Sequence, residues 1–286
     1  MFGPLSPEEA ALIARLPRIT RAREHRLYAA DGSRWLDCWA DGGRALLGHR
    51  PKGLSLRLKN EIDRGLYAPY PGLWEGRLEK TLLKMFPGYS GMRIFLNARR
   101  AAEVLGLPGS PVDPLDLPAV DSIEQPVGEK TSAGGTVGGG PVVLWGRPLL
   151  SGHPPADYLF PIVPLPGLTE VQPVLFRDTS AEPRPSDPVS PVILAAMNRS
   201  CASVISLNAG SGNGNSPISS LNADIWERRG PYMMFRGSEV EYTQLFEKLF
   251  SLRVLIAPSG KRGSIIPMGL SSKESALLAA GGFSRT

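Results

Sequence analysis

The sequence predicts an α/β protein that ends in a small α+β lobe. Three observations carry that reading. First, 286 residues at 42% hydrophobic and 21% charged make a globular composition with room for a sizeable core. Second, apolar runs of strand length alternate with runs of helical period along the chain. Third, the last sixty residues order themselves as strand, capped helix, two strands and a second capped helix. The 32 glycines and 28 prolines, about one residue in five, predict many turns and long irregular connections.

The elements follow in order. Ser6-Pro7-Glu8-Glu9 opens a helix: Ser6 caps it, proline suits its first turn and Glu9 completes a capping box. Leu12, Ile13 and Leu16 continue at helical spacing until about Pro17. Residues 26–40 read as a β-hairpin turning at Asp31-Gly32 between alternating apolar residues. Residues 41–51 form a loop with a short apolar run. Helices are expected at 52–65 and 74–86, a buried strand at Met92–Leu96 and a brief helix at Ala98–Leu105. Further strands are expected at 141–146, 157–163 and 172–176, and a helix from about Val189 to Leu207. The end of the chain predicts a strand at Tyr232–Phe235 and a helix from Ser238-Glu239-Val240-Glu241 through Leu252. Strands at 253–257 and 264–267 follow, then a helix capped by Ser271 and stopped at Gly281-Gly282.

Between these elements lie proline-, glycine- and serine-rich stretches at 107–140, 181–188 and 208–220, read as irregular linkers. The expected organisation has three parts. Residues 1–50 are an N-terminal segment that joins the small domain. Residues 51–225 are a reduced large domain, and 226–286 are the C-terminal small domain.

Composition excludes several functions. The net charge of +5 is spread along the chain, and its densest stretch, Arg18 to Arg26, has no interleaved stacking aromatics, so it reads as solvated surface and not as a nucleic-acid face. Cys38 and Cys201 are far apart, and His25, His49 and His153 are isolated, so no metal site is expected. The start of the chain lacks a basic and then apolar leader. No stretch approaches the roughly 20 apolar residues that span a bilayer. The expected location is cytoplasmic, without membrane contact.

The glycine tract at 134–140 lacks the lysine and following helix of a phosphate loop and reads as linker. Ser259 to Gly263 reads as a polar turn that could present Lys261 and Arg262 to an anion. Glu239 and Glu241 serve the helix start.

The order of elements resembles class III PLP-dependent aminotransferases of fold-type I. Residues Arg26 to Cys38 and then Gly48-His49-Arg50-Pro51 are similar to that family's opening hairpin and its following "L-G-H-x-H-P" loop. Arg93-Ile94-Phe95-Leu96-Asn97 looks like the strand leading into "N-S-G-[ST]-E-A", and the last 60 residues look like the family's C-terminal segment. The resemblance implies a mainly parallel sheet flanked by helices, with a small domain built from both chain ends. It also implies pyridoxal phosphate (PLP) on a lysine, an aspartate at its ring nitrogen, a Gly-Ser/Thr phosphate cup and a dimer.

The chain departs from that pattern at the chemistry. Asn97 is followed by Ala98-Arg99-Arg100 where the phosphate cup belongs. There are 24 arginines against 8 lysines, and no lysine at all between Lys130 and Lys248. Arginine cannot replace the Schiff-base lysine. The expectation is therefore a shortened, degenerate member without transaminase activity and without catalytic residues. Asn97, Arg99 and Arg100 are the candidate anion site, and Arg262 the candidate contact for substrate. Three alternatives stay open: a non-covalent module for PLP or an anionic metabolite, an interaction partner of an active aminotransferase, and, less favoured, an active PLP transaminase. Expected partners are a second copy or an active relative, and a small anionic ligand.

Overall fold

A computed structural model describes residues 4–107, 109–117, 141–150, 152, 154–177, 185–210 and 222–282. The glycine tract at 134–140 and most of the three expected linkers lie outside those residues.

In chain order the elements are α1 (Pro7–Ala14), β1 (Ile19–Arg23), β2 (Arg26–Ala29), β3 (Arg34–Asp37), a 3₁₀ turn at Ala40–Gly43, α2 (Leu54–Asp63), α3 (Leu73–Met85), β4 (Gly91–Phe95) and α4 (Ala98–Leu105). A 3₁₀ turn at Pro114–Asp116 follows, then β5 (Val143–Gly146), β6 (Tyr158–Pro161), β7 (Gln172–Phe176) and α5 (Pro191–Gly210). The chain closes with β8 (Trp226–Arg229), β9 (Tyr232–Phe235), α6 (Glu239–Ser251), β10 (Val254–Leu255), β11 (Ser264–Ile265) and α7 (Ser272–Gly281). They form two compact units, one of residues 1–52 with 203–286 and the other of residues 53–202.

The first unit contains a four-stranded sheet, β1-β2-β3-β10, and a three-stranded sheet, β11-β9-β8. Both chain ends build the larger sheet. β2 and β3 pair antiparallel, and β10 joins β3 in parallel, Val254 opposite Leu36. The Asp31-Gly32 turn forms as expected, with Gly32 at a φ of +81°. Three capping boxes start α1, α6 and α7, each pairing a serine with the glutamate three residues on: Ser6/Glu9, Ser238/Glu241 and Ser271/Glu274. The unit's core gathers Leu27, Trp35, Leu36, Tyr242, Phe246, Leu249 and Ile256.

Two strands were not expected from the sequence. β1 lies within the arginine-rich stretch read as solvated surface. Its side chains do face outward in part, Arg21 stacking 4.2 Å over the Tyr28 ring, but its backbone pairs with β2 as an edge strand. Charged side chains on an edge strand erase the apolar alternation that would reveal it. β8, with Glu227, Arg228 and Arg229, was missed for the same reason.

The second unit holds one sheet in the order β4-β7-β6-β5. β7 runs antiparallel to both its neighbours, while β5 and β6 run parallel. Three of the four strands thus share a direction and β7 is reversed, so the sheet is mixed. The carboxyl ends of β4, β5 and β6 lie along one edge, the usual location of ligands in open α/β sheets. α3 and α5 supply Trp74, Leu78, Leu82, Leu194, Ala196, Met197 and Cys201 to the core over Met92, Ile94, Leu159 and Leu175. The packing at Gly146 is close: a Cβ there would sit 2.8 Å from Leu159 Cδ2 and would force that side chain to shift.

Both outer strands of this sheet are covered by short straps. The Val112 amide donates to the Val143 carbonyl, and the Val112 carbonyl accepts from the Trp145 amide, on the free side of β5. The Asp187 amide donates to the Ile94 carbonyl on the free side of β4, and the Ile94 amide donates to Ser186 Oγ. The described part of the first expected linker, residues 109–117, is therefore an ordered strap and not an open connection. Such straps remove the bare strand edges that invite aberrant pairing.

Candidate functional site

α4 follows β4 at the carboxyl edge of the second unit's sheet, and it carries the expected anion-site residues. Asn97 is its N-cap, and its side-chain oxygen accepts from the Arg100 amide at 2.8 Å. Arg100 reaches Asp187, with Nε 3.5 Å from Oδ2, and that same carboxylate accepts from the Leu96 amide. Arg99 points outward, its side chain 86% exposed, 3.9 Å from Glu103. The structure thus brings Asn97 and Arg100 together, while Arg99 stands apart in solvent.

Arg262 lies in the other unit. Its guanidinium donates from Nε and Nη2 to the two Glu9 carboxylate oxygens, each at 2.8 Å, and from Nη2 to the Pro4 carbonyl at 2.7 Å. Burial opposes charge on Glu9, but the Arg262 and Ser6 hydrogen bonds outweigh it and hold the carboxyl below its usual range. Arg262, expected to meet a ligand, is held by the N-terminal helix.

Sequence reasoning missed a charged pair on the carboxyl edge itself. Arg147 directly follows β5 and grips Asp113, Nε to Oδ1 at 2.7 Å and Nη2 to Oδ2 at 2.6 Å. Both side chains are almost fully buried, 2% and 1% exposed. Desolvation pushes the Asp113 carboxyl up, but Arg147 overrides it and the group stays below its ordinary value. This fork-to-fork contact pins the 112–117 strap to the end of β5.

The first unit holds a second polar cluster. Two of the histidines that look isolated in the sequence, His25 and His49, lie at Asp37, which is 3% exposed. Asp37 Oδ2 lies 2.8 Å from His49 Nε2, and Oδ1 accepts from the Trp39 and Ala40 amides. The His25 carbonyl accepts from the Asp37 amide. Next to it the backbone is strained: Ala40 and Asp41 adopt φ of 51° and 50°, the left-handed region, on the order of 1–3 kcal/mol each.

The lysines are placed uniformly. Lys52, Lys59, Lys80, Lys84, Lys248, Lys261 and Lys273 are all exposed. Among the described residues no group of three or more His, Cys, Asp or Glu is arranged to hold a metal ion, and no helix is long and apolar enough to cross a membrane.

No family model matches the chain. Over 94 residues it is 37% identical to an uncharacterized protein of Borreliella burgdorferi, covering 33% of this chain and 35% of that protein. Over 96 residues it is 35% identical to an uncharacterized protein of Treponema pallidum, covering 34% and 31%. A 76-residue stretch is 36% identical to glutamate-1-semialdehyde 2,1-aminomutase of Heliobacterium modesticaldum, covering 27% and 17%. The matches span about a third or less of these curated relatives.

Solved structures match far more widely. An omega-transaminase from Sphaerobacter thermophilus superposes with a TM-score of 0.61 at 12% identity, covering 93% of this chain and 89% of that one. Ornithine δ-aminotransferase of Plasmodium falciparum gives 0.59 at 10%, covering 93% and 92%. N-acetylornithine aminotransferase of Stenotrophomonas maltophilia gives 0.59 at 13%, covering 93% and 95%. At such identities the likeness is one of fold: the chain has the α/β fold of the fold-type I PLP-dependent transferases, and its structural neighbours are class III aminotransferases.

Proposed function

We propose that this chain is an aminotransferase-like protein that does not itself catalyse transamination. The lysines carry the reading. A Schiff-base lysine has to stand on the cofactor, desolvated enough to be a free amine. Here residues 131–247 contain none, and the described lysines are all in solvent. Arg147 stands at the carboxyl edge instead, permanently charged and already paired with Asp113. The first turn of α4 offers Ala98, Arg99 and Arg100 in place of small hydroxyl and glycine residues that let a phosphate approach backbone amides. These residues do not fit PLP held as an aldimine, and no chemical step is assigned to it.

A second reading draws on Arg99. An exposed guanidinium in the first turn of a helix can meet a free phosphate or carboxylate, which supports a non-covalent binding or regulatory role toward PLP or another anionic metabolite.

Adding PLP and recording the aldimine absorbance, with and without borohydride, tests both. The expected result is no borohydride-fixed adduct and no transaminase turnover. A trapped adduct on a specific lysine overturns the first reading. Thermal stabilisation by PLP that is lost in Arg99→Ala supports the second, and no response to PLP or inorganic phosphate rejects it.

A further inference from the structure

The turn between β1 and β2 is built unlike an ordinary hairpin tip. Arg23 pairs with Arg26, so the turn is Glu24-His25 alone, with Glu24 at a φ of 53°. Hairpin tips are normally in solvent, yet His25 is only 5% exposed and its Nδ1 is buried without a hydrogen-bond partner. The 40–49 loop returns onto the backbone of the turn. The His49 amide donates to the Glu24 carbonyl at 2.7 Å, and Gly48 lies so close to the Glu24 backbone that a Cβ would approach to 2.8 Å. The same loop contains left-handed Ala40 and Asp41 and is fastened at its root by the Asp37 carboxylate.

We propose that this arrangement is a pH-sensitive latch, in which acid releases residues 38–49 by charging the His25 imidazole buried beneath them. The reason is geometric. A neutral imidazole fits the covered turn as an apolar plate. A charged one brings a second N–H and a full charge to a site where Nδ1 meets no acceptor. Opening the loop returns the ring to water, and the strained backbone of Ala40 and Asp41 relaxes with it. The proposal is independent of the transaminase reading, since it concerns the first unit alone.

The groups around the ring are defined. Glu24 shares the turn. Arg26 on β2 pairs both with Glu24 and with Glu274 of α7. Asp37 on β3 attracts a charged His25, while Arg26 and His49 oppose it, and burial outweighs them all, holding the ring down at about 4. Asp41 and Arg44 sit on the loop. Burial holds the Asp41 carboxyl above its usual range, so its protonation favours closure and acts only at the acid end. The His49 to Asp37 contact at 2.8 Å also fastens the loop.

Amide hydrogen exchange over residues 38–49, corrected for the intrinsic pH dependence of exchange, tests the latch. Between pH 7.5 and 5.0 the opening equilibrium should rise about 30-fold, as linkage requires for a ring held near 4 when covered and near 6.5 when open. In His25→Phe, which fills the site and cannot titrate, the rise should vanish. No rise in the parent protein, or an equal rise in His25→Phe, overturns the proposal. Should His25→Phe not fold, the His25 ring signals in the parent protein decide by NMR. A ring that titrates near 6.5 with no accompanying exposure of the loop overturns it, and a ring that stays neutral until the loop exchanges supports it.

Discussion

Each unit contains a buried aspartate, and the two aspartates differ in their partner. Asp113 is held by Arg147, a cation at every accessible pH, through two short parallel hydrogen bonds. Asp37 is held by an imidazole, His49, and by two backbone amides. The first is a fastening that pH does not reach. The second stands beside a buried imidazole, His25. Similar burial therefore yields a permanently charged joint in one unit and, in the other, a joint beside an imidazole whose charge burial opposes.

The comparison breaks most visibly at Arg147. Arg147→Met leaves the Asp113 charge buried and uncompensated, and should cost about 3–5 kcal/mol of stability in chemical denaturation. Replacing both partners, Arg147→Met with Asp113→Leu, should restore much of that loss, because buried ion pairs gain little over a well-packed apolar pair. A double variant as unstable as the single one would mean that the strap depends on the charges themselves.

At Asp37 the expected loss is smaller. Asp37→Asn keeps one acceptor for the Trp39 and Ala40 amides but loses the carboxylate facing His49. About 1.5–3 kcal/mol is the expected cost, as for a hydrogen bond to a charged group. Loss equal to that of Asp37→Ala would show that the amides contribute nothing.

Changing pH sharpens the contrast without mutation. The His25 ring is depressed in the folded protein, so its stabilising effect is complete above its unfolded value near 6.5. That effect is lost as pH falls toward 4. At pH 5 the first unit should be weaker by about 2 kcal/mol than at pH 7.5. The Asp113 to Arg147 joint should be unaffected over that range, because Asp113 stays ionised well below it. Parallel melting of the two units with pH would remove the distinction.

Much of the fold was legible because its signals are local. Ser6/Glu9, Ser238/Glu241 and Ser271/Glu274 mark helix starts within four residues. Asn97 and Gly106 bracket α4 at Ala98–Leu105, the boundaries read from the sequence. Strand direction is not local, and the reversal of β7 has no signature in Gln172–Phe176 itself. The chemistry was less legible still. Asp113 and Arg147 are 34 residues apart, with no periodic pattern joining them. His25 and His49 look isolated because their meeting point, Asp37, is set by the β2–β3 register and the loop that returns over the turn. Arg262 could be picked out as a cation, but its partner Glu9 comes from the opposite end of the chain.

The smallest expected effect isolates exposure as the variable. Arg15 and Glu247 form a pair as short as that of Arg147 and Asp113, with Arg15 Nη1 to Oε1 at 2.5 Å and Nη2 to Oε2 at 2.8 Å. Their side chains are 41% and 48% exposed. Water already solvates both charges, and ordering two long side chains offsets the attraction, so the pair should contribute little to stability. Arg15→Ala also removes the cation lying 4.7 Å over the Phe250 ring, so the informative variant is Glu247→Gln, which leaves that contact in place. A shift in melting barely above error, shrinking further in high salt, would confirm that burial and not bond length sets the strength of the Arg147 joint. A loss comparable to Arg147→Met would instead make α1, which carries Glu9 and precedes Arg15, a structural strut of the first unit.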